Sequence, residues 1–368
     1  LFTDNFHKTM PKKKPTRKSW IDLSSPLKAE GAAGVYSATY SLEELTRRGA
    51  IKDEVFDSFK RVTKLADLSW RALWTRGAVA KAGGREKFLR QARAVIIFIH
   101  GWDGSGAIWE NLPAHVCAAE NDCLILVPDV NGFGGSPFAH PERLTPDQCS
   151  PQANMRALEK WLSTLKLLGS RREYPTVFVG HSMGGATLFY LNERLWSGRT
   201  VGRYAVAPAL LLNDLTKKSF YRTLGAGIFA GNLLSLDKLQ NQFAPFVINQ
   251  LIAGASKAVQ AEHKRIFKKT HKQTIARTFD AMGQAKKPSH GREWNRFRVI
   301  LGHSDRLVGV SPMLDLLASL GFTSRQVRVA LGDHYFFSVS KQSQPLHAAN
   351  REIMLEDIRG LVEESVKG

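Results

Sequence analysis

The chain has 368 residues, 43% hydrophobic and 23% charged, with 30 Gly, 15 Pro and 3 Cys. That balance excludes a disordered chain and a disulfide-stapled miniature fold, and the length suits one large α/β domain with insertions. The formal charge of +19 is uneven: residues 1–93 carry +10 and 210–298 carry +11, whereas 94–209 and 299–368 carry −1 each, so the cationic surface belongs to particular segments.

Residues 1–9 include Asp4, His7 and Lys8 and lack the apolar core of a secretory leader. The uncharged run of interest for a membrane span, 239–256, is interrupted by Gln240, Asn241, Pro245 and Asn249, so a membrane span is not expected and a cytoplasmic or peripheral protein is. Residues 11–18 set five cations among two prolines, the composition of a flexible basic arm, either solvated or in contact with an anionic surface. From 41 to 76, Leu42, Leu45, Phe56, Phe59, Val62, Leu65, Leu68 and Leu73 recur at three- and four-residue steps. Residues 1–93 are therefore expected to form a basic, mostly helical extension, with one short strand near 35–40.

After Arg93 the pattern changes. Apolar, β-branched runs at 94–99, 123–127, 176–179, 203–207, 298–301 and 326–330 read as buried strands. Helical stretches at 151–168, 184–196, 311–320 and 346–364 lie among them. The alternation predicts an α/β fold with a mostly parallel, doubly wound sheet built from 94–207 and 298–368. Segment 208–297 is too long for a plain crossover and predicts a helical insertion. Its first half is apolar (Ile228, Phe229, Leu233, Phe243, Phe246, Ile252); its second is basic (Lys257, Lys264, Arg265, Lys268, Lys269, Lys272, Arg277).

The most informative motif follows the strand at 176–179: Gly180-His181-Ser182-Met183-Gly184-Gly185, then a helical pattern. This is Gly-x-Ser-x-Gly in a strand–turn–helix setting, where a tight turn exposes a serine nucleophile and the flanking glycines leave the backbone room. Here the chain resembles the α/β-hydrolase superfamily, over about 94–364. On that resemblance segment 208–297 is a cap inserted after the sixth strand. His100-Gly101-Trp102-Asp103-Gly104 resembles the family's oxyanion loop, which implies that the N–H groups of Trp102 and Met183 hold an oxyanion. His100, Gly101, Asp103 and His181 are then structural or pocket residues. Asp129-Val130-Asn131-Gly132-Phe133-Gly134-Gly135-Ser136 is similar to the family's pocket-wall turn.

Gly302-His303-Ser304-Asp305 and Gly332-Asp333-His334 resemble the acid and histidine loops, completing a triad of Ser182, Asp305 and His334. Asp214 and Asp333 are the alternative acids, and His303 is read as structural. The resemblance implies a serine hydrolase cleaving carboxylic esters through an acyl-enzyme. Thioesterase, carbon–carbon hydrolase and acyltransferase chemistry stay open, as does a cationic membrane-docking protein with an inactive core. No metal or cofactor motif stands out. The expected partner is an apolar ester or acyl substrate; the basic segments read either as solubility charge or as contact with an anionic membrane surface, and no nucleic-acid-binding module accompanies the charge.

Overall fold

The structure is a computed structural model that describes residues 19–23, 27–30, 32, 34–169, 174–196, 201–210, 252, 254–284, 288, 294–339 and 344–367. In chain order the elements are β1 (Lys28–Ala29), β2 (Val35–Ser41), α1 (Leu42–Arg47), α2 (Asp53–Thr63), β3 (Ser69–Thr75), α3 (Arg76–Ala82), α4 (Arg85–Gln91), β4 (Val95–Ile99), α5 (Leu112–Ala119) and β5 (Leu124–Pro128). Then come α6 (Pro146–Cys149), α7 (Pro151–Thr164), β6 (Thr176–His181), α8 (Met183–Thr187), β7 (Val201–Val206), α9 (Lys257–Lys269), α10 (Lys272–Gln284), β8 (Phe297–Gly302), α11 (Val310–Ser319), β9 (Val327–Ala330) and α12 (Gln344–Lys367).

The strands form one sheet in the order β1-β2-β3-β5-β4-β6-β7-β8-β9. Strands β5 to β9 of that order run parallel, and β1, β2 and β3 are antiparallel. Every residue of β4, β5 and β6 is buried, as their unbroken apolar runs require of strands covered on both faces. The period of two divides β4 between two cores. Val95, Ile97 and Ile99 join Trp70, Trp161 and Phe178 on one side; Ile96 and Phe98 join Val177, Met354 and Leu361 on the other.

Two expectations need correction. The described part of residues 1–93 is not an extension apart from the sheet: beside helices α1 to α4 and the strand expected near 35–40, which is β2, it contains β3, and β2 and β3 supply the antiparallel end of the sheet, pairing from Val35↔Thr75 to Ser41↔Ser69. β3 then docks on β5 from Trp70↔Pro128 to Leu73↔Ile125, and β1 adds Lys28 and Ala29 beside β2, so the described sheet begins at 28 and not at 94. Within β3, Trp70, Ala72 and Trp74 are buried at alternate positions; this period of two was hidden by Leu65 and Leu68, which lie in the loop before it. The helix expected over 184–196 ends at Thr187 and gives way to 3₁₀ turns at Leu188–Tyr190 and Glu193–Trp196. The cause is Glu159 of α7, whose Oε1 accepts from Asn192 N (2.8 Å) and Trp196 Nε1 (3.1 Å) and draws the chain off the helical path.

The insertion between β7 and β8 is described from Ile252 onward as α9 and α10; its expected apolar half, 211–250, lies outside the described residues, as does Asp214. α9 is tied to the core through a hydrogen bond from Ser105 to Glu262, and Ser256 Oγ donates to Glu110 Oε1 (2.6 Å). No described helix is long and apolar enough to cross a membrane.

Candidate active site

β6 turns directly into α8, and Ser182 sits on the turn with φ 53° and ψ −117°, in a region costly for a residue with a Cβ. The elbow is held shut by close approach. A Cβ on Gly180 would lie 2.4 Å from Gly184 O, and one on Gly184 2.5 Å from Ile99 O. A Cβ on Gly101 would meet the Ser182 side chain at 2.9 Å, so the loop after β4 lies against the serine.

The acid and the histidine come from the ends of β8 and β9. Asp305 Oδ2 accepts from His334 Nδ1 at 2.7 Å, while Oδ1 takes the N–H groups of Leu307 (2.9 Å) and Val308 (3.0 Å). Burial alone would raise the Asp305 carboxyl, but His334 and the two amides hold it below the ordinary carboxylate range. His334 and Ser182 line one cavity together with Trp102, Asp103, Ala209, Ile252, His263, Phe279, Met282, Leu307 and Tyr335, enclosing about 440 Å³ that is partly open to solvent. Asp333 is directed elsewhere: its Oδ1 accepts from Tyr335 N at 2.9 Å. His303 is exposed.

The remaining predicted residues surround this pair. His181 is fully buried, and its Nε2 donates to the main-chain O of His334 at 3.0 Å, which fixes the histidine loop. Burial and the neighbouring His334 keep its ring far from protonation. His100 Nδ1 donates to Gly101 O (2.7 Å) and its Nε2 accepts from Val130 N (2.8 Å), so it braces the loop after β4 against the loop after β5. Asp129 completes the brace by accepting from Gly106 N (2.8 Å) and Gly135 N (2.7 Å). The 129–136 turn acts on the pocket through Phe133, whose ring stands edge-on to Trp102 at 6.4 Å.

Met183 opens α8, so its N–H has no acceptor one turn earlier within the helix. Trp102 is fixed on its other side by α10: its Nε1 donates to Thr278 Oγ1 (2.9 Å), and its ring packs edge-on to Phe279 at 4.8 Å.

Two polar cavity residues were not singled out from the sequence, His263 and Tyr335. His263 Nδ1 donates to the main-chain O of Asp103 (2.6 Å), and Tyr335 Oη donates to His263 Nε2 (2.7 Å). The signal for His263 was its position on the buried face of α9, between Val259 and Ile266 at helical spacing. Among the described residues one group has metal-ligand proximity, Glu120, Asp122 and Cys123, and Arg93 and Arg359 already neutralise its carboxylates.

A family model described as alpha/beta hydrolase fold matches residues 94–198. Lipase LipV of Mycobacterium tuberculosis is 35% identical over 98 residues, a stretch that covers 27% of this chain and 31% of that protein. Among solved structures, a thermophilic esterase from Thermogutta terrifontis is similar with TM-score 0.51 at 15% identity, over 73% of this chain and 90% of that one. A hydrolase from Pseudomonas aeruginosa is similar with TM-score 0.53 at 14% identity, over 79% and 94%.

Proposed function

The chain has the α/β-hydrolase fold, and on that premise we propose that it is a serine hydrolase acting on carboxylic esters through an acyl-enzyme. One observation carries the reading. A serine on a backbone-strained turn shares a cavity with a histidine whose far nitrogen is hydrogen-bonded to a buried carboxylate at 2.7 Å. With Nδ1 donating to Asp305, the Nε2 of His334 is left as the base that takes the proton of Ser182. Asp305 holds the tautomer and stabilises the imidazolium as Ser182 attacks the acyl carbon. The N–H groups of Trp102 and Met183 receive the developing oxyanion. Collapse of the tetrahedral species expels the alcohol, which takes its proton from His334. Water then repeats the sequence on the acyl-enzyme and regenerates Ser182.

Trp102, Ile252, Phe279, Met282 and Leu307 make the cavity wall largely apolar, which favours an acyl chain over a charged one, and α9 and α10 act as the described part of a cap. The test is a chain-length series of p-nitrophenyl acyl esters on wild type and Ser182→Ala. Turnover in wild type that is lost in a folded variant supports the mechanism, and the optimum chain length sizes the cavity. Wild-type rates in Ser182→Ala would remove the serine from the reaction.

A further inference from the structure

Asp103 is 1% exposed, yet neither of its carboxyl oxygens has a hydrogen-bond partner among the described residues. The local donors are already committed. His263 Nδ1 lies 3.9 Å from Asp103 Oδ2, beyond hydrogen-bond reach, and donates instead to the main-chain O of Asp103 at 2.6 Å. The Tyr335 hydroxyl donates to His263 Nε2 at 2.7 Å. Asp103 thus stands in the wall of the cavity of Ser182 and His334 as an acceptor in want of a donor, beside His263 and Tyr335 and the apolar Trp102, Ile252 and Phe279, its two oxygens covered until a ligand presses on that wall. Leaving a buried acceptor unsatisfied is costly, and a left-handed backbone (φ 53°) holds it there at additional cost.

We propose that Asp103 is a specificity residue that receives a hydrogen-bond donor of the substrate, so that the preferred substrates are esters bearing a hydroxyl or a protonated amine near the scissile bond. The proposal rests on Ser182 being the nucleophile of this cavity. A site with an unpaired acceptor discriminates strongly against substrates that lack the donor, because they leave the acceptor unpaired in the complex, whereas a purely apolar wall discriminates weakly. Burial also raises the Asp103 carboxyl to about 6, so near neutral pH it is mostly ionised and accepts from a neutral hydroxyl or an ammonium alike.

The test compares ethyl butyrate with ethylene glycol monobutyrate, dimethylaminoethyl butyrate and ethyl hydroxybutyrate, on wild type, Asp103→Asn and Asp103→Leu. In wild type, kcat/KM for at least one donor-bearing ester should exceed that for ethyl butyrate by about tenfold or more, mainly through KM. Asp103→Leu should lose that preference. Asp103→Asn, which keeps an acceptor but no charge, should retain a hydroxyl preference within about threefold and lose an ammonium preference, which tells the two donors apart. Equal ratios in wild type and both variants, with ethyl butyrate turned over, overturn the proposal and leave the serine mechanism standing. Inactivity toward every ester overturns the serine esterase reading instead. Asp103 is then judged by titrating the same intact esters into Ser182→Ala with and without Asp103→Leu: tighter binding of a donor-bearing ester that Asp103→Leu removes supports the acceptor role, and equal affinities overturn it. Circular dichroism of each variant separates loss of fold from loss of recognition.

Discussion

Replacing Asp103 by Asn is expected to stabilise the protein, and only where the carboxyl would be ionised. Burial, opposed in part by His263 and reinforced by the charge of Glu262, raises this carboxyl from 3.8 to about 6. In the unfolded chain it ionises near its ordinary value, so between about pH 4 and pH 6 the native state binds the proton that the unfolded state has released, and stability falls as pH rises through that window. At about 1.4 kcal/mol per tenfold change in proton affinity, the full cost above the window is about 3 kcal/mol. Roughly 2 kcal/mol of it accrues between about pH 4.5 and about pH 7.5. Asn has nearly the same volume, carries no charge and tolerates the left-handed backbone at this position. Urea unfolding of wild type and Asp103→Asn at both pH values reads the difference, in which every shared titrating group cancels. The advantage of the variant should grow by about 2 kcal/mol toward the higher pH. An advantage that does not change with pH, or a variant less stable than wild type at about pH 7.5, would refute an unpaired buried carboxylate.

Four further outcomes are expected. Asp305→Asn should lower kcat on a p-nitrophenyl ester by about 10³- to 10⁴-fold. Because the Asp305 carboxyl lies below its ordinary range, the stability it contributes should be present above about pH 4 and fade as pH falls further; a constant gap between variant and wild type across that range argues against it. Thr278→Val removes the acceptor of the buried Trp102 indole and should cost about 1–3 kcal/mol in denaturant unfolding, so an unchanged midpoint would mean that the indole finds another acceptor. Gly184→Ala brings a Cβ within 2.6 Å of His100 O as well as close to Ile99 O, and soluble expression at wild-type stability would contradict the packing of the elbow. On α9, Lys264, Lys268 and Lys269 are exposed, whereas Arg265 is paired with Glu262 at 2.6 Å. Replacing the three lysines by Ala should weaken binding to anionic vesicles in low salt by about 1 kcal/mol per cation, and undiminished binding takes this face out of a membrane-docking role.

The parts of the molecule legible in the sequence are those written in short stretches of backbone rule. β4, β5 and β6 announce themselves as unbroken apolar runs, and the elbow announces itself because glycines at 180 and 184 are demanded by contacts that leave no space for a side chain. The pairing of Asp305 with His334 was within reach because each follows a strand in the same sheet, so topology carries both to one rim. β2 was legible only as an isolated short strand, and β3, its partner, was not legible at all. They lie toward an edge of the sheet, where burial is partial and the alternation is short, and the neighbouring helices α1 and α2 supply apolar residues at helical spacing that drown it. His263 and Tyr335 illustrate a different barrier: their meeting with Asp103 joins the chain at positions 103, 263 and 335, and no local pattern records such a contact.

The bond between the Trp102 indole and the hydroxyl of Thr278 ties the loop beside the serine to a helix of the insertion. Its consequence is that the catalytic floor and the roof above it form one mechanical unit. Shifting α10 outward would strand a buried N–H and remove the Phe279 ring from Trp102, so the residue whose amide is proposed to receive the oxyanion would lose its stiffening. On the proposed serine-hydrolase reading, a site wired in this way would be competent only when covered, and water reaching an uncovered cavity would meet a slackened site rather than a primed one.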